Sequence, residues 1–207
     1  MTRLLNQVWK ERKIPTEWIK AVICPIHKKG DKRICGNYRG IVLLVGVSKI
    51  YERILEKRLR MEVEDKIGKW QHGFRPGKST TDLIFYMKML TEKIIEWNEK
   101  AYAAFIDLEK AFDRINRKRL WRVLEDPMYV TLESLIAAIK SMYENPINTV
   151  RGTGREKWFE VKTGVRQGSV LSPLLFALYL DSCLKRICIR ENREHTLVYA
   201  DDAAVIT

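Results

Sequence analysis

Apolar residues along this chain recur at two spacings, and each spacing predicts a different element. Val47, Ile50, Tyr51, Ile54, Leu55 and Leu59 fall three or four apart or adjacent, the period of one helix face. Leu83, Met87, Leu90, Ile94 and Trp97 mark a second helix, which Ser79 and Asp82 open at capping-box spacing, and both stripes are expected in the core. Helical sequence also runs through Leu120 and Trp121 towards Pro127, and again from Leu132 to Tyr143, where Asn145-Pro146 breaks it. Val150 to Val161, with Gly152 and Gly154 between strand-like flanks, reads as a hairpin that delivers the chain to Gly164. Leu174 to Leu180 is apolar on every side, with Ser172-Pro173 as a natural N-cap and first-turn pair, and is expected as a buried helix beneath a sheet.

That sheet is predicted from two shorter runs, and both carry acids. Leu197-Val-Tyr-Ala-Asp-Asp-Ala-Ala-Val-Ile206 reads as a hairpin whose tight turn holds Asp201 and Asp202 at a sheet edge. Burying two adjacent carboxylates costs so much that a divalent cation is the natural counter-charge, and an exposed surface turn is the competing reading. Ala103-Ala-Phe-Ile-Asp107 is a second apolar run ending in an aspartate, so three carboxylates are expected at two strand ends. Hard cations held by such oxygen ligands can hold a triphosphate and stabilise the attacking and leaving oxygens of an in-line displacement. Nucleotide polymerisation is the chemistry this arrangement suits.

Composition adds a partner class. With 38 Lys and Arg against 26 Asp and Glu, the net charge is +12 and the pI about 9.6, which favours a polyanion such as a nucleic-acid backbone. The 46% of hydrophobic residues supports a folded chain with a substantial core, and no apolar stretch reaches the ~20 residues needed to span a bilayer. The N-terminus lacks a secretory signal core, so an intracellular protein is expected, nucleus and cytoplasm unresolved. Cys24, Cys35, Cys183 and Cys188 make no zinc spacing with His27, His72 and His195 and are expected as buried free thiols. Gly73-Phe-Arg-Pro-Gly77-Lys78-Ser79 approaches a phosphate-binding loop but has three residues where that loop needs four, so Lys78 and Ser79 read as helix-start residues.

Six blocks of this chain then carry a resemblance. Tyr102-Ala-Ala-Phe-Ile-Asp107-Leu-Glu-Lys-Ala-Phe112-Asp113, Gly164-Val-Arg-Gln167-Gly168-Ser-Val-Leu-Ser-Pro173 and Tyr199-Ala-Asp-Asp202 stand in the order seen in reverse transcriptases. They look most like those of non-LTR (LINE-type) retrotransposons. Upstream, Ile23-Cys-Pro-Ile-His-Lys-Lys-Gly-Asp31, Asn37-Tyr-Arg39-Gly-Ile-Val-Leu-Leu44 and Gln71-His-Gly-Phe-Arg75-Pro-Gly-Lys-Ser-Thr-Thr-Asp82 resemble the fingers blocks of that family.

The resemblance implies an α/β right-hand polymerase, with fingers over residues 1–98 and an incomplete ferredoxin-like palm over 99–207 that includes a fingers-proximal hairpin near 145–163. It implies RNA-directed DNA synthesis from dNTPs on an RNA template and a DNA primer, with no membrane and no particular protein partner indicated. Asp107 and Asp201 are implied to bridge two Mg2+ ions, replaceable by Mn2+, with Asp202 nearby and the Leu108 carbonyl as a further ligand. Phe112 matches the aromatic gate under the sugar, while Gln167 and Gly168 would contact the incoming nucleotide. Arg75 and Arg39 would approach its triphosphate, and Tyr199 and Ala200 the primer end. Asp113 is expected to make structural hydrogen bonds. A thumb is expected to lie outside these 207 residues. A catalytically inactive remnant that binds nucleic acid is the competing expectation.

Overall fold

The apolar runs become the strands of two separate sheets in the computed structural model, which describes residues 1–152, 154, 157–191 and 196–207. In chain order the elements are α1 (Thr2–Glu11), α2 (Thr16–Ile19), β1 (Lys20–His27), β2 (Tyr38–Leu43), α3 (Gly46–Val63), α4 (Thr80–Glu96) and β3 (Ala103–Asp107). There follow α5 (Arg117–Glu125), α6 (Glu133–Ser141), β4 (Ile147–Val150), β5 (Phe159–Glu160), α7 (Ser172–Glu191), β6 (Thr196–Tyr199) and β7 (Asp202–Ile206).

One sheet has the order β2-β1-β4-β5, with β4 parallel to β1 and the other pairs antiparallel. Pro25 sits within β1, where a proline would ordinarily interrupt a ladder. It is tolerated because β4 pairs only with Lys20 to Ile23, so Pro25 faces no strand on that side. The expected hairpin to Gly164 begins earlier than its glycines suggest, at Ile147, and its residues 153, 155 and 156 lie outside the described residues. The second sheet is an antiparallel β3-β7-β6.

A helical core joins residues on both sides of position 98. Tyr51, Leu55, Leu59 and Val63 lie four apart along α3 and pack with Leu120, Leu124, Leu135, Ile139 and the α7 residues Leu174, Leu175 and Phe176. Each such side chain contributes about 1.5–3 kcal/mol by leaving water. The buried line on α3 differs from the hydropathic one: Ile50 and Ile54 are exposed, while Ser48 and Glu52 are buried. Glu52 accepts the Val170 N–H at 3.0 Å and so ties α3 to the loop before α7. Burial pushes its carboxyl above the usual range, against the pull of the Ser169 hydroxyl, the Val170 N–H and the Arg166 and Lys49 charges.

Three further expectations are corrected here. The stripe on α4 is not core: Ser79 and Asp82 do form the capping box, yet no residue of this helix is buried, and Trp97 after it is 64% exposed. α4 lies over the three-stranded sheet with a cleft between them, so Leu83 and Met87 line open space. α7 starts at Ser172 itself and packs against α5, whereas β3 is exposed at every position. The thiols of Cys24, Cys35 and Cys183 are free as expected but none is buried, and the Cys188 side chain and His195 fall outside the described residues. No described helix is long and apolar enough to cross a membrane.

Candidate active site

Asp107 ends β3 and Asp202 begins β7, and the two are direct partners across the antiparallel ladder. Directly opposed residues project from the same face with Cβ atoms about 4.5–5.5 Å apart, so these carboxylates stand side by side. Asp202 is also the partner of Tyr199 across the β6–β7 hairpin, which leaves Ala200 and Asp201 as a two-residue turn. The Asp201 carbonyl accepts the Leu108 N–H at 3.3 Å and thereby fastens the turn to the end of β3.

The register sets Asp202, rather than Asp201, directly opposite Asp107. Successive residues of a strand point to opposite faces, so two consecutive acids cannot both sit beside Asp107 by strand geometry alone. Asp202 takes that place and Asp201 occupies the turn. Among the described residues no three His, Cys, Asp or Glu side chains gather as a metal-holding cluster. The acids do not bear the burial cost expected of them, since Asp107 and Asp202 are exposed and Asp201 is half-buried. Even so, no Lys or Arg among the described residues lies within ion-pair distance of any of the three. Three carboxylates without a counter-charge at one sheet end fit a hard divalent cation in donor chemistry.

Asp107 and Asp202 rim a cleft of about 430 Å³ between α4 and the sheet, walled by Leu83, Met87, Phe105, Ile106, Leu197 and Tyr199. Phe112, five residues after Asp107, is half-buried. Its ring stacks on Phe176 at 5.0 Å and meets Phe74 edge-on at 6.0 Å. Beside it passes the loop before α7, as its glycines require. A Cβ on Gly164 would fall 2.7 Å from the Asp113 carbonyl oxygen, and one on Gly168 2.6 Å from that of Val42, both at positive φ. The Gln167 carbonyl accepts the Val42 N–H at 2.7 Å, and its amide donates to Asp113 at 3.1 Å. Phe112, Asp113, Gln167 and Gly168 are therefore one neighbourhood, with Asp113 in the hydrogen-bonding role expected of it.

Residues 26–207 match the family described as reverse transcriptase (RNA-dependent DNA polymerase). The chain belongs to that family. It is 31% identical over 211 residues to the RNA-directed DNA polymerase from mobile element jockey of Drosophila melanogaster, covering 99% of this chain and 23% of that protein. It is 30% identical over 218 residues to the probable RNA-directed DNA polymerase from transposon BS of the same organism, covering 98% and 23%. The chain thus spans about a quarter of the length of these relatives. Among solved structures, telomerase from Candida tropicalis in complex with a TWJ fragment of telomeric RNA superposes with a TM-score of 0.68 at 13% identity, over 99% of this chain and 39% of that one. The α/β right-hand polymerase fold and the likeness to retrotransposon enzymes read from the sequence blocks are both borne out.

In this reverse transcriptase domain the two expected triphosphate arginines are placed very differently. Arg39 is exposed on β2, opposite Ile26. Arg75 is spent inside the protein: its guanidinium bonds the Glu64 carboxylate at 2.7 Å and the carbonyls of Glu64, Gly68 and Gln71 at 2.8, 3.0 and 3.2 Å. Its expected phosphate contact is corrected to a structural one, because a planar fork with this many acceptors locks the turn after α3.

That turn leads to a residue the sequence did not single out. Gln71 is fully buried, and its side-chain oxygen accepts the N–H of Gly73 at 2.8 Å and that of Ala200 at 3.2 Å. Trp70 and His72 hydrogen-bond Val198 from either side, so the segment acts as a short fourth strand beside β6. Gly73 passes so close that a Cβ there would lie 2.1 Å from the Ala200 nitrogen. Ala200 itself holds φ 56°, which costs a non-glycine residue about 1–2 kcal/mol and must be maintained by its surroundings. Nothing in hydropathy marks Gln71, because the partner that ties it to the site, Ala200, is distant in sequence. Gln71→Met keeps the bulk and removes the acceptor, and an unmatched buried donor costs about 1–3 kcal/mol. Amide exchange at Ala200 is expected to accelerate in that variant by about 5–150-fold. An unchanged Ala200 rate would show that the turn holds without Gln71.

Proposed function

We propose that this domain is the catalytic part of an RNA-directed DNA polymerase that transfers nucleotides from dNTPs to the 3′-hydroxyl of a DNA primer on an RNA template. The observation that carries the proposal is the register of β3 and β7, which sets Asp107 and Asp202 side by side without a counter-charge next to the Asp201 turn. These three acids, with the Leu108 carbonyl, would hold two Mg2+ ions, for which Mn2+ could substitute. Bound there, the ions supply charge for the triphosphate and for the attacking and leaving oxygens. The rest falls to the chain's own groups. Phe112, held by Phe176 and Phe74, presents its ring beneath the sugar, and Gln167 with Gly168 flanks the nucleotide from the loop braced on β2. Arg39 reaches the triphosphate from its exposed position, and Tyr199 and Ala200 meet the primer end. In this reading residues 1–98 act as fingers and 99–207 as palm, and the protein works inside the cell, where RNA and dNTPs are.

Because the described acids form no three-ligand cluster, a catalytically inactive nucleic-acid-binding remnant is the second reading. Templated extension separates the two. The full reading frame that carries these residues, given an RNA template, an annealed DNA primer, one dNTP and Mg2+, is expected to add the complementary nucleotide. Binding without addition would establish the remnant. In the same assay Phe112→Val should shift the dNTP to rNTP incorporation ratio towards ribonucleotides by about tenfold or more. It should cost about 1–3 kcal/mol of stability through lost packing. If the ratio does not move while the fold survives, Phe112 is a packing residue only.

A further inference from the structure

The strongest unassigned feature is a groove between α5 and α7. α5 opens on Arg117-Lys118-Arg119 with no acid in its first turn, and Arg122 follows. Positive charge is unfavourable at a helix N-terminus, so the helix gains nothing from carrying it there. Arg117 is accounted for, since it donates to the carbonyls of Val161, Thr163 and Gly164. The other three basic residues of α5 are not used in that way.

α7 packs against α5 and adds Lys185 and Arg186, so five basic side chains line one concavity of about 790 Å³, larger than the carboxylate cleft. That volume is within the roughly 300–1,000 Å³ of ligand sites. Asp126 is the one acid in its wall, and one of its oxygens is taken by the Met128 N–H. Lys185 is already held at 2.8 Å by Asp181, and Arg119 lies over the Tyr179 ring at 5.6 Å. Lys118, Arg122 and Arg186 meet no carboxylate within ion-pair distance among the described residues. A concave wall of unneutralised cations focuses positive potential and draws anions into it. The groove shares no lining residue with the cleft that holds Asp107 and Asp202.

We propose that the α5–α7 groove is a second nucleic-acid contact, which holds the phosphate backbone of a single strand away from the acid-lined cleft. The choice of a nucleic acid among polyanions rests on the polymerase reading, while the demand for a polyanion rests on the groove alone. Every nucleotide of a strand carries one phosphate charge, so several cations in one groove can each meet one. Sequence preference is not expected, because a contact to phosphates reads no base.

The test is the triple variant Lys118→Ala, Arg122→Ala, Arg186→Ala of the 207-residue chain, titrated with short fluorescent RNA and DNA single strands across a salt series. The slope of log affinity against log salt should become shallower by about 2, from about 0.7 for each of three phosphates. An equally charged control, Lys28→Ala, Lys29→Ala, Lys32→Ala, should change it less. RNA and DNA slopes that fall together support a backbone contact. A slope no shallower than the control's overturns the proposal, as does loss of binding to anionic lipid vesicles with nucleic-acid binding intact. Thermal melting of the triple variant shows that it is folded, since none of the three side chains is buried. The slope is read without dNTP or Mg2+, so a failure of the catalytic reading would not be mistaken for a failure of this one.

Discussion

Asp107→Asn is expected to abolish templated nucleotide addition, by about 10²–10³-fold or more, while template binding and the fold stay intact. Asparagine keeps the shape of the side chain, and the β3–β7 ladder is made by backbone groups that the substitution does not touch. No salt bridge is lost, because Asp107 makes none among the described residues. What goes is one of two adjacent negative charges whose only evident use is to attract a cation. Asp202→Asn should match it, since the register makes the two equivalent neighbours of one site. Asp201→Asn should be as damaging if the turn acid reaches the same ions. Single-turnover extension in the full reading frame measures all three, with binding and circular dichroism as controls. Extension retained within about threefold by Asp107→Asn would remove the assignment, because such a loss is under 1 kcal/mol of transition-state stabilisation.

How much of this was legible in the sequence depends on the range of the interactions involved. Local signals held: the Ser79 and Asp82 capping box and the α5 and α6 helices appear where short-range chemistry put them, while the turn expected to hold Asp201 and Asp202 closes on Ala200 and Asp201. Hydropathy failed wherever burial depends on a distant partner. Glu52 is buried because the Val170 amide, far along the chain, satisfies it, and Ile54 is exposed on the same helix because nothing packs there. Likewise the α4 stripe has the period of a core helix, but its sheet stands off from it across a cleft. At the site, composition and spacing gave the three acids, whereas their pairing needed the register. Arg75 and Gln71 show the same limit, since their roles lie in the carbonyls and amides that surround them.

Asp181→Ala should destabilise the fold by about 3–5 kcal/mol, a large part of the 5–15 kcal/mol of a typical domain. Asp181 is fully buried within α7 and accepts three hydrogen bonds at 2.8 Å, from the Gly68 N–H, the Tyr129 hydroxyl and the Lys185 ammonium. Burial and the adjacent carboxylate push the Tyr129 hydroxyl well above the usual phenol range, so it stays a donor. Removing the carboxylate leaves Lys185 sequestered beside Tyr129 and the Lys66 carbonyl with no counter-charge. Asp181→Asn retains an acceptor for Gly68 and should cost less. The effect is also expected to travel. Gly68 accepts the Gln71 N–H at 3.2 Å, and the Gln71 side chain holds Ala200, so the buried carboxylate is connected through two turns to the tip that carries Asp201. Urea denaturation gives the stability, and exchange at the Ala200 amide reports the tip. A loss below about 1 kcal/mol would mean that the network contributes no more than a surface ion pair.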